Sequence, residues 1–291
     1  MSNTLSITAV IPVHNRRSLT AACLESLLQQ TRVPDQIVVV NDGSTDGTAE
    51  MIAERFPCVE VIHGDGNLWW TESVNRGVMH ALQSGADVIV TLNDDTTFAP
   101  DMLAAMEDAA VRAPALVQGA AALDQSTGRI VYGAMKADWG RGTYREVNPP
   151  GAEEPILQDT DVLCGRGLWI PRRVLEEVGL FRADKLPQAL ADYEFTQRAR
   201  TAGFRLALNH GARVLLQDES VSSHLRGRRG FRDFRRHLTS MTGAGNLRFF
   251  IRYAYMVAPR GRRTWFAMSG TLRRILGYWL HDPDRHLGGV A

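Results

Sequence analysis

The sequence predicts an α/β architecture, a mostly parallel sheet with helices on both faces, and three observations predict it. Runs of Val and Ile recur without polar alternation, as in "AVIPV", "IVVV" and "DVIV", a pattern that suits strands covered on both sides. Segments of roughly 10 to 15 residues with helical apolar spacing separate them, long enough for right-handed crossovers. Each run ends in a polar cluster: "HNR" (14–16), "NDGSTDGT" (41–48), "GDGN" (64–67) and "NDD" (93–95).

The elements follow in chain order. "SITAVIPV" (6–13) is the first strand, and "RSLTAACLESLLQQ" is a helix capped by Ser18, with Leu19, Cys23 and Leu27 at helical spacing. "QIVVVN", "VEVIH" and "DVIVTLN" are the next three strands. Between them lie the helices "DGTAEMIAERF" and "TESVNRGVMHALQSG", the second ending at a glycine. "FAPDMLAAMEDA" is a helix with Pro100 in its first turn. Further on, "CGRGLWIPRR" sets Gly165 and Gly167 around Arg166 before a helix started at Pro171. "LADYEFTQRARTAGF" is a helix burying Phe195, Ala199 and Ala202.

The chain has 291 residues, 44% hydrophobic and 22% charged, which describes a globular protein with a sizeable core. Its three cysteines, Cys23, Cys58 and Cys164, are odd in number and lack close pairing. That argues against a disulfide framework or structural zinc and suits a reducing cytoplasm. No basic leader precedes an apolar stretch, and no window offers about 18 uninterrupted apolar residues, so neither a secretory signal nor a spanning helix is expected.

The net charge of +1 hides an asymmetry. Residues 1–223 carry 19 basic and 29 acidic side chains, whereas residues 224–291 carry 14 and 3. The expected organisation is an α/β domain at 1–223 and a basic helical C-terminal extension at 224–291. In the extension, arginines alternate with phenylalanines in "HLRGRRGFRDFRRHL", and Trp265, Met268, Leu272, Ile275, Leu276 and Trp279 share one helix face. Such a face suits peripheral contact with an anionic membrane. Packing on the α/β domain or on a second copy in a homodimer is at least as consistent with it. No nucleic-acid-binding module is present, so no nucleic acid partner is expected.

In a parallel sheet the four polar clusters emerge along one edge, where open α/β sheets hold ligands. The adjacent carboxylates of Asp94 and Asp95 at the end of a buried strand repel one another and resist desolvation. A divalent cation with a substrate diphosphate would offset both costs; the alternative is that Asn93 and Asp94 cap the following helix.

Taken in order, "AVIPVHNR", "VVVNDGSTDGT", "GNLWWTESVNRG", "LNDD", "CGRGLWIPRRVLEEVGLF" and "DYEFTQRARTAGF" resemble family 2 glycosyltransferases of the GT-A fold, a Rossmann-like architecture for nucleotide-diphospho-sugar transfer. The resemblance covers about residues 6–217, and "GNLWWT" is similar to bacterial rhamnosyl- and galactofuranosyltransferases of surface polysaccharide synthesis. It implies that Asp42 accepts hydrogen bonds from a uracil or thymine base, an Asx-turn in "NDGS" being the alternative. It places Pro12, His14, Asn15, Arg16, Gly66, Asn67, Trp70, Asn75, Asn93, Asp94, Gly165 and Arg166 on the nucleotide or donor sugar. Asp95 would ligate Mn²⁺ or Mg²⁺. His224 is the candidate further ligand, since Gln217 or Asp218 stands where such enzymes commonly have a histidine.

The resemblance names Asp192 as the general base, with Glu194 as fallback; Ala191 stands where the family often has Glu, so this motif is half matched. The implied activity is inverting, metal-dependent transfer of a sugar from a UDP- or dTDP-sugar to a hydroxyl on a glycan or lipid-linked glycan, in the cytoplasm and at the inner face of the membrane. A non-catalytic nucleotide-sugar-binding or membrane scaffold protein of the same fold is one rival. A nucleotidyltransferase is another, but it would bring a Gly-rich, Lys-bearing phosphate loop where this chain has "PVHNRRS".

Overall fold

The computed structural model describes residues 5–147, 157–216, 230–242 and 245–280. The first half alternates as read from the sequence: β1 (Ile7–Val13), α1 (Arg17–Leu28), β2 (Gln36–Asn41), α2 (Thr48–Arg55), β3 (Glu60–His63), α3 (Trp69–Gln83) and β4 (Val88–Thr91). A short β5 (Thr96–Phe98) precedes α4 (Met102–Arg112). Next come β6 (Val117–Asp124), β7 (Ile130–Tyr132), β8 (Ala134–Asp138), β9 (Thr143–Val147), β10 (Leu157–Asp159) and β11 (Leu168–Pro171). The domain closes with α5 (Arg172–Val178), α6 (Ala191–Thr201) and β12 (Leu206–Leu216). Three helices follow: α7 (Phe231–Thr239), α8 (Leu247–Val257) and α9 (Arg263–Leu280).

Strands order as β10-β12-β6-β11-β4-β1-β2-β3, with β5 on β12 and β7 on β6, while β8 and β9 form a separate hairpin. The pairs β1–β2, β1–β4 and β2–β3 are parallel. The chain therefore leaves β1 toward β2 and β3, then returns to β4 on the other side, and that reversal opens a crevice beyond the ends of β1 and β4. The fully buried strands β1 and β4 explain their unbroken Val and Ile runs.

Four strands depart from the parallel pattern: β5, β7 and β10 pair antiparallel in the outer half of the sheet, and one departure lies at its centre. β11 runs antiparallel between β4 and β6. An antiparallel strand enters the sheet at the edge from which its neighbours leave, so the segment before β11, "CGRG", sits at the mouth of the crevice. The length of "LWIP", only four residues, gave no periodicity from which to read this strand.

Packing follows the apolar stripes. α1 buries Ala21, Cys23, Leu24 and Leu27, and its expected Ser18 cap is replaced by a start at Arg17, with Thr20 Oγ1 donating back to the Arg16 carbonyl at 2.8 Å. α3 lies over β1 and β2 through Gly77, where a Cβ would overlap Val10 and crowd Val40. On α6, Phe195 and Ala199 are buried as expected, whereas Ala202 lies beyond the helix end and is exposed.

Two of the C-terminal helices, α8 and α9, join the same core: Phe249, Phe250, Tyr253, Ala254, Phe266 and Ala267 are buried in the cluster that contains the sheet, whereas α7 buries no residue. No helix among the described residues is long and apolar enough to cross a membrane.

Candidate functional site

The site grows from four strand ends. After β1 the chain turns through Asn15, whose φ is +53°. Asn15 Oδ1 accepts from Thr45 N at 2.7 Å, and Asn15 N donates to Ser44 Oγ at 2.9 Å, tying the β1 and β2 ends together. His14 Nδ1 lies 2.5 Å from the Asp42 carbonyl. His14, Asn15 and Arg16 are exposed toward the crevice edge, whereas Pro12 is buried within β1 opposite Val40.

Asp42 is 5% exposed, and its carboxylate organises the next loop. Oδ1 accepts from Gly66 N at 2.7 Å, and Oδ2 accepts from Leu68 N at 2.9 Å and Trp69 N at 3.1 Å. The Asx-turn of "NDGS" belongs to Asn41 instead, whose Oδ1 accepts from Ser44 N at 3.2 Å. A carboxylate has about four lone-pair positions, so Asp42 keeps one acceptor position beyond its three backbone donors. Replacing Asp42 with alanine leaves those donors without an acceptor. We expect the substitution to lower stability by about 2–4 kcal/mol in urea unfolding; a loss below about 1 kcal/mol would mean that the loop holds itself.

At the end of β4, Asn93 and Asp94 do not cap α4, because β5 intervenes. Arg16 Nη1 bridges the two carboxylates, 3.0 Å from Asp94 Oδ1 and 2.9 Å from Asp95 Oδ2. Asp94 Oδ2 is buried without a hydrogen-bond partner. Burial pushes the Asp94 pKa up to about 7; Arg16 opposes that shift and Asp95 adds to it. Asp95 is partly exposed and accessible from the crevice.

Trp70 joins these groups to the far wall. Its Nε1 donates to Asn93 Oδ1 at 3.1 Å, its backbone N donates to Gln188 Oε1 at 2.9 Å, and its ring meets Phe181 edge-on at 5.8 Å. Gly165 lies beneath the indole, where any Cβ would overlap it. Thr91 Oγ1 donates to the Gly165 carbonyl at 2.6 Å, fixing the turn to β4.

Asp192, in the first turn of α6, accepts from Gly165 N at 2.9 Å and Tyr193 N at 2.9 Å. Burial raises its pKa, while those backbone donors pull the other way. Arg166 Nε donates to Cys164 Sγ at 3.3 Å. Cys164 raises the Arg166 pKa most, and Asp95 and Asp192 raise it too.

Backbone strain maps the same place. Among the described residues the non-glycine positions with positive φ are Asn15, Trp69 and Leu190, at +53°, +58° and +66°. They precede Arg16, Trp70 and Asp192 by one or two residues. Each such conformation costs about 1–3 kcal/mol and persists where surrounding contacts over-determine it, a pattern that clusters at functional sites.

Some sequence expectations change. Asn75 is buried, with Nδ2 donating to the Phe181 carbonyl at 2.8 Å and Oδ1 accepting from Phe181 N at 3.0 Å. Both its polar atoms anchor the segment after α5 to α3. Glu194 is 3% exposed and ion-paired to Arg198 at 3.0 Å and Arg182 at 3.5 Å, which removes it as a fallback base. Asn67 is exposed in the loop that Asp42 organises, donating its backbone N to Asp65 Oδ1 at 2.9 Å. His224, Gln217 and Asp218 lie outside the described residues. Gln188 and Thr91, which orient Trp70 and Gly165, were not singled out in the sequence; both act through contacts more than 70 positions away.

The residues present fit a divalent cation in donor chemistry. Asp94 has a buried oxygen with no partner and Asp95 an accessible carboxylate; hard cations take such oxygens and draw much of their coordination from phosphates and water. Among the described residues no cluster of three or more metal-ligating side chains exists, so the protein's share of such a site would be small.

A family profile described as "Glycosyl transferase family 2" matches residues 8–179. The chain is 24% identical over 214 residues to the N-acetylglucosaminyl-diphospho-decaprenol L-rhamnosyltransferase of Mycobacterium tuberculosis (strain ATCC 25618 / H37Rv), covering 66% of this chain and 69% of that one. It is 35% identical over 81 residues to the "Uncharacterized glycosyltransferase YibD" of Escherichia coli (strain K12), covering 27% of this chain and 23% of the relative. Over 95 residues it is 30% identical to galactofuranosyltransferase GlfT1 of Mycolicibacterium smegmatis, covering 33% and 32%. Each of these two shorter matches thus spans less than a third of the relative.

Among solved structures, the mannosyltransferase PcManGT of Pyrobaculum calidifontis, in complex with GDP-Man and Mn²⁺, superposes with a TM-score of 0.61 at 16% identity, over 96% of this chain and 74% of that chain. GalNAc-T7, with UDP, GalNAc and Mn²⁺, gives a TM-score of 0.61 at 16% identity over 74% and 43%.

Proposed function

On the premise that this chain belongs to glycosyl transferase family 2 and has the GT-A fold, and is therefore a glycosyltransferase, we propose that it moves a sugar from a nucleoside diphosphate donor to a hydroxyl of a glycan acceptor in one inverting displacement. The observation that carries this reading is the wall-to-wall arrangement of the crevice. Asn93, next to Asp94 and Asp95, accepts from Trp70 Nε1; the Trp70 indole covers Gly165; and Gly165 N donates to Asp192, so the acidic pair and Asp192 are joined across the crevice by three direct contacts.

In this reading Asp192 takes the proton of the acceptor hydroxyl as its oxygen forms a bond to the anomeric carbon. The bond from that carbon to the phosphate oxygen breaks, and its electron pair leaves with the nucleoside diphosphate. A carboxylate whose pKa is raised by burial is a stronger base than an exposed one. Gly165 N–H and Tyr193 N–H orient it, so its geometry precedes substrate binding.

Asp95 with Asp94 would hold Mn²⁺ or Mg²⁺, whose charge supports departure of the diphosphate. Arg16 now bridges both carboxylates, and on donor loading its guanidinium is free to turn to phosphate oxygens, which suit its donor fork. His14, Asn15, Gly66 and Asn67 border the nucleotide, and Asn93, Trp70 and Gly165 border the sugar. Since PcManGT is complexed with GDP-Man and GalNAc-T7 with UDP, the fold alone leaves the base open. The preference for uracil or thymine rests on Asp42, whose remaining acceptor position matches their N3–H edge. The names of the rhamnosyl- and galactofuranosyltransferase relatives support a role in cell-surface glycan synthesis.

Thermal stabilisation by UDP, dTDP and GDP, each with and without Mn²⁺, tests the reading. A ligand present at about a hundred times its Kd adds about 2.7 kcal/mol to the folded state, so a metal-dependent rise of several degrees is expected with UDP or dTDP. A shift with none of the three would remove the nucleotide from the site.

A further inference from the structure

α9 has two apolar faces. Its inner face buries Phe266, Ala267 and Arg274, with Phe266 packed against Trp139, Tyr144 and Phe250. One flank is tied to the turn between β8 and β9: Trp265 Nε1 donates to the Gly140 carbonyl at 2.8 Å and Arg273 Nη1 to the Gly142 carbonyl at 2.6 Å. These contacts fix the helix's rotation about its axis.

The outer face is left to solvent. Met268 is 63% exposed, Leu272 56%, Leu276 44% and Trp279 45%. Trp279 contacts Phe234 at 5.3 Å between centroids, and Phe234 contacts Phe231, which is 76% exposed, so the stripe continues onto α7. A surface helix ordinarily turns its apolar stripe inward, and a contiguous outward stripe marks an interaction surface.

Charge decides what covers it. The described residues of the three C-terminal helices and their connections carry ten arginines and one acid, Asp233. Arg232, Arg235 and Arg236 are exposed at the Trp279 end, and Arg260 and Arg262 at the Trp265 end. A second copy docked on the same face would set these arginines against each other, whereas an anionic lipid surface attracts them. An 18-residue helix is about 27 Å long and lies within a membrane interface without crossing it.

We propose that the outer face of α9, continued by Phe231, seats the protein on an anionic lipid bilayer, with the apolar stripe below the headgroups and the flanking arginines among them. The inference stands whether or not the crevice transfers sugar. α9 packs on α8, and α8 packs on α6, the helix that carries Asp192. A second path runs through Tyr144, whose ring meets Phe266 of α9 at 6.0 Å and Tyr193, beside Asp192, at 5.8 Å.

The test is co-sedimentation of the full chain with vesicles of phosphatidylcholine alone and of phosphatidylcholine with phosphatidylglycerol. The variants are Leu272→Ser with Leu276→Ser, both on exposed positions, and separately Arg235→Glu with Arg236→Glu. We expect binding to the phosphatidylglycerol vesicles at least about tenfold tighter than to phosphatidylcholine alone, weakened by salt. Each double variant should lose about tenfold or more of that binding. Thermal unfolding and nucleotide-induced stabilisation should match the parent, which separates this surface from the crevice. Absence of binding to anionic vesicles, or binding that survives the serine substitutions, overturns the proposal. So does a dimer in sedimentation velocity that those substitutions split into monomers, for the stripe would then be a self-interface.

Discussion

Asp192→Asn is expected to lower turnover by about 10²–10⁴-fold while leaving donor affinity within about threefold. Asparagine keeps the size of the side chain and one acceptor oxygen, so it retains the hydrogen bond from either Gly165 N or Tyr193 N. It has no basic lone pair with which to take the proton of an attacking hydroxyl. Leaving one of the two backbone donors without an acceptor costs about 1–3 kcal/mol, too little to unfold a chain of this size. Single-turnover transfer, measured beside nucleotide-induced thermal stabilisation, separates the two effects. Full turnover in the variant would remove Asp192 as base, and joint loss of binding and turnover would make it a positioning group for the Gly165 turn.

Asp95→Asn is expected to abolish the metal-dependent part of donor binding, reducing affinity for the nucleoside diphosphate with Mn²⁺ by about a hundredfold while changing metal-free affinity little. The neighbouring substitution Asp94→Asn should behave differently in the ligand-free protein. Asp94 has a buried, unpartnered oxygen and a pKa pushed up to about 7 by burial. The folded-state pKa lies above the unfolded one, so this group favours the folded state most below the ordinary carboxylate range. That contribution is lost as pH rises toward 7 and beyond.

Asparagine removes the ionisation, so Asp94→Asn should raise stability above pH 7 by about 1–3 kcal/mol and flatten its pH dependence between about 4 and 8. Melting temperatures across that range decide the matter. A variant less stable than the parent at pH 8 would show that the Arg16 ion pair outweighs the burial of Asp94.

Both predictions rest on residues visible in the chain, for local reasons. The strand runs are apolar because both sheet faces are covered, and the polar clusters that end them mark where each strand leaves the sheet. Parallel pairing then brings "HNR", "NDG" and "NDD" to one edge without further information. The helix that carries Asp192 is legible from its apolar spacing, whereas the bond from Gly165 N that orients its carboxylate is not. The bonds of Asn75 to the Phe181 backbone are not legible in the chain, because a polar residue near a glycine-rich loop looks the same whether it faces a ligand or a backbone segment 106 positions away.

The chain by itself determined the alternation of strands and helices, the edge at which the site forms, the acidic pair and the basic, amphipathic extension. Tertiary structure alone decided that β11 enters antiparallel and delivers Gly165 and Arg166 to the crevice, and that Arg16 bridges Asp94 and Asp95. It also decided that the apolar stripe of α9 faces solvent while the opposite face packs on Phe250 and Tyr144. The physical reason is range. Strand and helix patterns arise from neighbours a few residues apart, whereas these three outcomes depend on partners 70 or more positions away or on a competition between two apolar faces for the core, and no local period encodes either.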